Sequence, residues 1–270
     1  MSGTKQWPSG LPKSDAQPPV SIITPTFNRR KFIAQLAKYI LAQDYPMSRM
    51  EWVILDDGTD TVEDIIAPYK SKIEIQYIRS ERKMNLGAKR NALHKAARGE
   101  ILVVMDDDDY YPPDRVSHAV KTLRAHKADL AGTSTMNLYF VDDGSVWRAG
   151  PWFKIMHTPY HGTFGTMAFT QRYARTHTCD EHVLFAEEVQ FTNGYRNPMV
   201  QLDPMKTIMV LCHNENTYDK RQLRQSVNHP DSVMKRLEQP LKHFVRRAED
   251  RTFYESLRAA ATPVPLTEGA

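Results

Sequence analysis

Four aspartates in a row, Asp106, Asp107, Asp108 and Asp109, follow the apolar run Ile101-Leu102-Val103-Val104-Met105. Carboxylates this close repel one another unless a cation neutralises them, and a hard divalent ion suits clustered oxygen ligands. If the strand continues through them, alternation sends Asp106 and Asp108 to one face. There both reach a single Mg²⁺ or Mn²⁺ and leave its other positions to water or the oxygens of a diphosphate. A solvated acidic turn ahead of Pro112-Pro113 is the competing reading, and the five apolar residues before it argue against that.

Two other aspartate chemistries fail. An EF-hand loop starting at Asp106 needs glycine at Tyr111 and glutamate at Ser117, and has neither. A haloacid-dehalogenase phosphatase needs its attacking carboxylate where Leu55 precedes Asp56-Asp57-Gly58-Thr59. A lone pair of cysteines, Cys179 and Cys212, makes no disulfide framework and no metal-ligand spacing, so both are expected as buried free thiols.

The elements that must position these residues alternate. Residues 20–24 read as a buried strand broken at Pro25, with Phe32, Leu36, Tyr39 and Ile40 following at helical spacing. Residues 51–55 are a strand and 62–69 a short helix. Residues 73–78 are a strand, 88–97 a helix closed by Gly99, and 101–105 a strand. Such alternation implies parallel pairing with right-handed crossovers, and in an open parallel sheet ligands bind beyond the carboxyl ends of the strands. Residues 25–29, 56–57 and 106–109 all fall there. Beyond Asp114 a helix over 115–126 and a strand-like stretch over 130–140 are expected, then an aromatic, turn-rich region over 146–169. The series Val233, Leu237, Leu241, Phe244, Val245 and Ala248 predicts packed helices.

The chain has 270 residues, 41% hydrophobic and 25% charged, enough to bury a sizeable core. Residues 1–18 are polar and Pro/Gly-rich and are expected as a disordered tail. One domain is expected over 19–218, divided at 114 into two unlike halves. A helical extension with a frayed end would occupy 219–270. No stretch approaches the roughly 20 apolar residues of a membrane span, and the N-terminal stretch lacks a signal-peptide core. A cytoplasmic protein, in contact at most with a membrane surface, is the expectation. The formal charge of +4, from 36 basic and 32 acidic residues, is too small to argue for nucleic acid.

Three segments, PPVSIITPTFNR, EWVILDDGTD and NLGAKRNALHKAARGEILVVMDDDDYYPPDRV, occur in that order. Together they resemble the inverting glycosyltransferases of family 2, over roughly residues 19–218. The resemblance implies a GT-A fold: an α/β architecture with a mostly parallel central sheet flanked by helices. It also implies a nucleoside diphosphate sugar as donor, with UDP favoured, Mn²⁺ or Mg²⁺ as cofactor, and a glycan or lipid-linked acceptor.

By that resemblance Pro25, Thr26, Phe27, Asn28 and Arg29 line the nucleotide, Asp57 accepts the base N3–H, and Arg90 lies near the base and Asp57. Asp106 and Asp108 serve the ribose and the metal-bound diphosphate, with Asp107 an alternative for the ribose. The family's late acidic pair falls on Glu187 and Glu188. Glu188 then serves as base in a position where aspartate is usual, while an acidic first turn of a helix is the competing reading. GT-A enzymes often add a late histidine to the metal, which points to His213. His161, Gly162 and Thr163 are expected in the floor between donor and acceptor, with Trp152 on the acceptor side, although aromatics this dense also suit core packing.

Two other classes compete: a sugar-1-phosphate nucleotidyltransferase, and a non-catalytic carbohydrate- or nucleic-acid-binding module. The first would carry a glycine-rich basic loop after the first strand, where this chain has Pro25-Thr26-Phe27-Asn28. The second would show salt-sensitive rather than metal-dependent binding.

Overall fold

Strands β1 (Val20–Thr26), β2 (Met50–Asp56), β3 (Glu74–Arg79) and β4 (Ile101–Val104) lie parallel in the order β3-β2-β1-β4. Helices α1 (Arg30–Leu41), α2 (Glu63–Ile66) and α3 (Leu86–Ala96) lie in the connections between them. The computed structural model describes residues 17–216, 220–229 and 232–260. β1, β2 and β4 are buried at every position, because both faces of a parallel sheet are covered. Alternation divides their side chains between two cores. Ile22, Trp52, Ile54 and Val103 join Phe32, Leu36 and Tyr39 of α1 in one. Ile23, Val53, Leu55, Leu102 and Val104 meet Leu93 of α3, Phe164, Phe169 and Phe191 in the other.

The chain continues through α4 (Arg115–His126), β5 (Leu130–Gly132), β6 (Met136–Phe140), β7 (Val146–Ala149) and α5 (Phe153–Met156). Next come β8 (Ala168–Thr170), α6 (Gln171–Thr176), α7 (Glu188–Phe191), β9 (Val200–Gln201) and β10 (Met209–Cys212). It closes with α8 (Arg221–Gln225), β11 (Met234–Leu237) and α9 (Ala248–Ala260). β8, β5 and β9 extend the first sheet to β3-β2-β1-β4-β8-β5-β9, with β8 antiparallel to both neighbours. A second sheet has the order β10-β6-β7-β11.

Two expectations need correction. The stretch 130–140 is two strands in different sheets, because the Thr133 hydroxyl takes local bonds with the backbone N–H and carbonyl of Thr135 and turns the chain between them. The C-terminal apolar series is not all helix. Met234–Leu237 pairs antiparallel with β7 along its free edge, and its exposed Lys235 and Arg236 charge the new edge. The tail expected over 1–18 falls mostly outside the described residues, as does the fraying after Thr262. Pro18, however, is buried and accepts a 2.6 Å bond from the Tyr45 hydroxyl. Both cysteines are buried and free. Among the described residues no helix is long and apolar enough to cross a membrane.

Candidate active site

From β1 the chain proceeds outward to β2 and β3, then returns to β4 on the other side of β1. The carboxyl ends of β1 and β4 therefore diverge, and a crevice opens where the strand order reverses. A cavity of about 580 Å³ lies there, lined by Pro25, Thr26, Phe27, Asn28 and Arg29 from the end of β1, by Lys89 and Arg90 of α3, and by Asp106 to Asp109 after β4. Leu184, Phe185, Asn216 and Lys220 form its outer wall.

The acidic run is a turn rather than a continued strand, since β4 ends at Val104. Strand alternation therefore does not place Asp106 and Asp108, although both line the same cavity. Asp106 takes a two-pronged salt bridge from Arg90, at 2.5 and 3.1 Å. Asp107 accepts from the Thr26 hydroxyl at 2.7 Å. Asp108 meets Arg29 at 3.0 Å, His213 Nε2 at 3.0 Å and the Asn216 amide at 3.2 Å. Asp109 accepts from the Leu211 N–H at 2.9 Å.

Burial raises the pKa of all of these carboxylates whose titration departs from the ordinary, and the neighbours decide the outcome. At Asp108 the hydrogen bond from His213 and the charge of Arg29 overcome burial and hold the pKa down at about 2. At Asp107 burial and the Asp108 charge push it up to about 7. Asp109 is raised well above the usual range for the same reasons. Asp107 and Asp109, which form no salt bridge among the described residues, therefore hold their protons more readily than Asp108 does. Among the described residues, no three His, Cys, Asp or Glu side chains are grouped to hold a metal by themselves.

Asp57 lies beneath the cavity wall. Its carboxylate accepts from the Met84 N–H at 2.7 Å and from Lys89 Nζ at 2.8 Å, with its side chain fully covered. Arg90 is not beside Asp57, as expected, but one step along α3 toward β4. It bridges Asp106 and, through Nε at 3.3 Å, Glu187, while its guanidinium lies 4.4 Å from the Phe164 ring centre. Burial opposes its charge, yet the two carboxylates keep its pKa above the ordinary value.

Glu187 and Glu188 are both buried, at the start of the single-turn α7. Ala186 precedes them in the left-handed region, with φ of 62°, a conformation that costs a non-glycine residue and turns both carboxylates inward. Glu187 is committed to Arg90. Glu188 takes a hydrogen bond from the Tyr195 hydroxyl, and burial followed by the Glu187 charge pushes its pKa up to about 7. That is the range of a general base poised for work near neutrality.

The expected acceptor-side residues pack beside this pair. His161 is buried, bonds the Ser134 hydroxyl at 3.1 Å and lies 4.7 Å from the Tyr195 ring. Burial drops its pKa to about 4. Thr163 donates to Met136 Sδ at 3.1 Å. Gly162 faces Met199 rather than open space, so its lack of a side chain serves packing. Gly165 instead lets the floor approach Asp106, whose Oδ2 would lie 2.9 Å from an added Cβ. Trp152 packs 6.4 Å from His161, and its indole N–H is buried without a partner.

Sequence reasoning missed Lys89, Tyr195, Asn216 and Lys220. Lys89 had a readable signal, a second cation beside Arg90 one turn into a helix that faces the strand ends. Tyr195 had none, because only the fold brings it to Glu188.

Comparison with known proteins follows this geometry. The profile of glycosyl transferase family 2 matches residues 21–185. Poly(ribitol-phosphate) β-N-acetylglucosaminyltransferase TarS of Staphylococcus aureus is 27% identical over 174 residues, which cover 63% of this chain and 30% of that protein. The putative teichuronic acid biosynthesis glycosyltransferase TuaG of Bacillus subtilis is 28% identical over 154 residues, 55% of this chain and 56% of its own. The chain thus spans about a third to a half of these relatives. Among solved structures, residues 1–349 of S. aureus TarS with UDP-GlcNAc superpose with a TM-score of 0.58 at 20% identity, covering 74% of this chain and 60% of that one. The mannosyltransferase PcManGT of Pyrobaculum calidifontis, with GDP-Man and Mn²⁺, gives 0.61 at 17% identity over 98% and 80%. The fold is the expected GT-A fold.

Proposed function

The chain belongs to glycosyl transferase family 2, and from that premise we propose that it transfers a sugar from a nucleoside diphosphate, UDP in preference, to an acceptor hydroxyl with inversion at the anomeric carbon. The observation that carries the reading is the joining of two unlike groups: a carboxylate-rich turn that lines the cavity, and a buried carboxyl poised near pH 7 whose neighbour Glu187 is tied to that turn through Arg90. TarS and PcManGT, bound to UDP-GlcNAc and GDP-Man, support a nucleotide sugar in a crevice of this fold.

The donor set suits a hard divalent cation. Asp108 and His213 lie 3.0 Å apart, Asp106 and Asp107 line the same cavity as Asp108, and Mg²⁺ in particular is commonly held by one or two carboxylates together with substrate phosphates. Asp108 and His213 would hold Mn²⁺ or Mg²⁺, with Asp106 kept on Arg90. The ion, when bound, would stabilise charge on the departing diphosphate.

The chain's own groups carry the rest. Arg29 and Lys220 lie at the cavity wall where they can meet phosphate oxygens, and Thr26 to Arg29 shape the nucleotide's bed. Arg90 holds Asp106 and Glu187 at a fixed separation, tying the donor turn to the acidic pair. Glu188 takes the acceptor proton as the new C–O bond forms and the bond to the diphosphate oxygen breaks, its electrons leaving with the diphosphate. The exposed apolar Leu184 and Phe185 at the cavity's outer wall suit a glycan's C–H faces or a lipid-linked acceptor.

Titrating UDP with and without Mn²⁺, followed by a panel of nucleotide sugars assayed for transfer or hydrolysis, tests the reading. Metal-dependent UDP binding with turnover of at least one donor is expected. Metal-independent, salt-sensitive binding without turnover would overturn it.

A further inference from the structure

We propose that Tyr195 is a positioning residue of the transfer reaction: its hydroxyl donates to one oxygen of the Glu188 carboxylate and leaves the other to take the acceptor's proton. The inference rests on the reading of Glu188 as base and adds to it the residue that holds that base in place.

After α7 the residues Asn193, Gly194 and Tyr195 all adopt left-handed backbone, with φ of 53°, 65° and 57°. Glycine takes that region freely and asparagine at times, but a tyrosine there is an outlier that the surrounding structure must impose. Here it is imposed by hydrogen bonds at every step. The Asn193 N–H donates to the Gln190 carbonyl at 3.0 Å and the Gly194 N–H to the Val189 carbonyl at 2.7 Å. The Tyr195 N–H donates to the Thr192 hydroxyl at 3.1 Å, and the Tyr195 carbonyl accepts from the Thr158 hydroxyl at 2.8 Å. Thr192 is fully buried and donates that same hydroxyl to the Glu188 carbonyl at 2.7 Å. One threonine thus fixes the backbone of the base and of the tyrosine together.

The Tyr195 ring is buried, and His161 lies against it with ring centres 4.7 Å apart, which restricts the phenol to its bond with Glu188. The other groups facing Glu188 are Glu187 beside it, Arg90 from α3 and Cys179 from the segment after α6. Burial keeps the Cys179 thiol and the Tyr195 hydroxyl uncharged well above neutrality, and drops His161 to about 4. Neither thiol, phenol nor imidazole therefore changes charge near pH 7, where Glu188 does. Burial and the Glu187 charge raise the Glu188 carboxyl, and the Tyr195 bond lowers it by favouring the charged form. Without that bond the carboxyl keeps its proton to higher pH, and less of it is free to act as base.

Tyr195→Phe tests this, because it keeps the ring against His161 and removes only the donor. Two readouts on the full chain are needed. One is hydrolysis of UDP-GlcNAc, UDP-glucose and GDP-Man in Mn²⁺, with water as the acceptor. The other is the carboxyl signal of carbon-13-labelled glutamate in NMR, assigned with Glu188→Gln, which reads Glu188 without turnover. Tyr195→Phe should move the midpoint of kcat against pH upward by about one pH unit, lowering kcat about tenfold at about pH 6. It should raise the Glu188 carboxyl titration equally and leave UDP affinity unchanged. On a Glu188→Gln background it should change kcat by less than about twofold, since the two residues act as one.

A fall in kcat by one factor at every pH, with the midpoint unmoved, would reduce Tyr195 to packing and overturn the proposal. So would a full further loss on the Glu188→Gln background, which would place its action on another group. Asp107 titrates in the same range at the acidic turn, so a moved kcat midpoint with an unmoved Glu188 carboxyl would also overturn it. Failure of the wild-type chain to turn over any of the three donors would overturn the transferase reading beneath it, whereas an unmoved Glu188 titration in an active chain would overturn the role of Tyr195 alone.

Discussion

On the proposed donor side, Asp57, Asp106 and Asp108 each face a cation, namely Lys89, Arg90 and Arg29. On the proposed acceptor side Glu188 forms no salt bridge among the described residues and meets a tyrosine hydroxyl instead. Asp108 and Glu188 show the same functional group treated in opposite ways, the pKa of the first held down at about 2 and that of the second pushed up to about 7. At Asp108 the His213 hydrogen bond and the Arg29 charge keep the carboxylate ionised, as the proposed metal role requires. A carboxylate that accepts a proton in the reaction must remain basic, and burial without a cation ensures that.

The sharpest way to break this contrast is at the unpaired end. Glu188→Gln keeps shape and reach but cannot take a proton, so kcat should fall roughly 10²- to 10⁴-fold with UDP affinity unchanged. The wild-type kcat should rise with pH through about 7, because the base works only when ionised. A dead Glu187→Gln beside an active Glu188→Gln would exchange the two roles. At the paired end, Arg90→Met leaves the buried Glu187 and the half-buried Asp106 without their partner and should cost about 3 kcal/mol in chemical denaturation. A loss below about 1 kcal/mol would mean that the bridge between the two regions carries little.

A smaller effect is expected from His213→Ala. It should raise the Mn²⁺ concentration for half-maximal UDP binding by roughly tenfold with little change in melting temperature, and an unmoved metal titration would remove His213 from the site. The smallest concerns His94, which packs among Phe164, Phe169 and Phe191 with both ring nitrogens buried and unpartnered. Burial, helped by Arg90, drops its pKa from 6.5 to about 3. Its neutral form is the one that folds, so the stability it permits is complete above pH 6.5 and is lost as pH falls toward 3. His94→Phe should add about 1 kcal/mol at neutral pH and flatten that acid limb. An unchanged limb would show that another group controls it.

The donor half was legible because its signals are local. Apolar runs of strand length ending in Pro25, Asp56 and Asp106 announce strand ends, and the alternating elements place those ends along one edge. The acceptor half was less so. Glu188 owes its basicity to Tyr195 and to the left-handed turn at Ala186, neither of which leaves a periodic trace. Arg90 was misplaced because a helix position one residue from Lys89 points to a different strand end. The strand at Met234–Leu237 escaped because four residues with two charges carry no strand pattern until β7 offers an edge. Strand alternation says nothing of Asp106 and Asp108, because β4 already ends at Val104.

The second sheet and α9 also set an order of assembly. Gln35 and Tyr39 of α1 bond Asp250 and Tyr254 of α9, at 3.1 and 3.3 Å, across 215 positions of sequence. During synthesis strands β1 to β4 emerge and can pair well before α9 exists, so the face of α1 that bears Tyr39 must wait uncovered. Loop closure over such a distance is slow relative to local pairing, and exposed apolar surface is what holdase chaperones bind. The nascent chain is therefore most vulnerable to aggregation after β4 has formed and before residues 248–260 have left the ribosome.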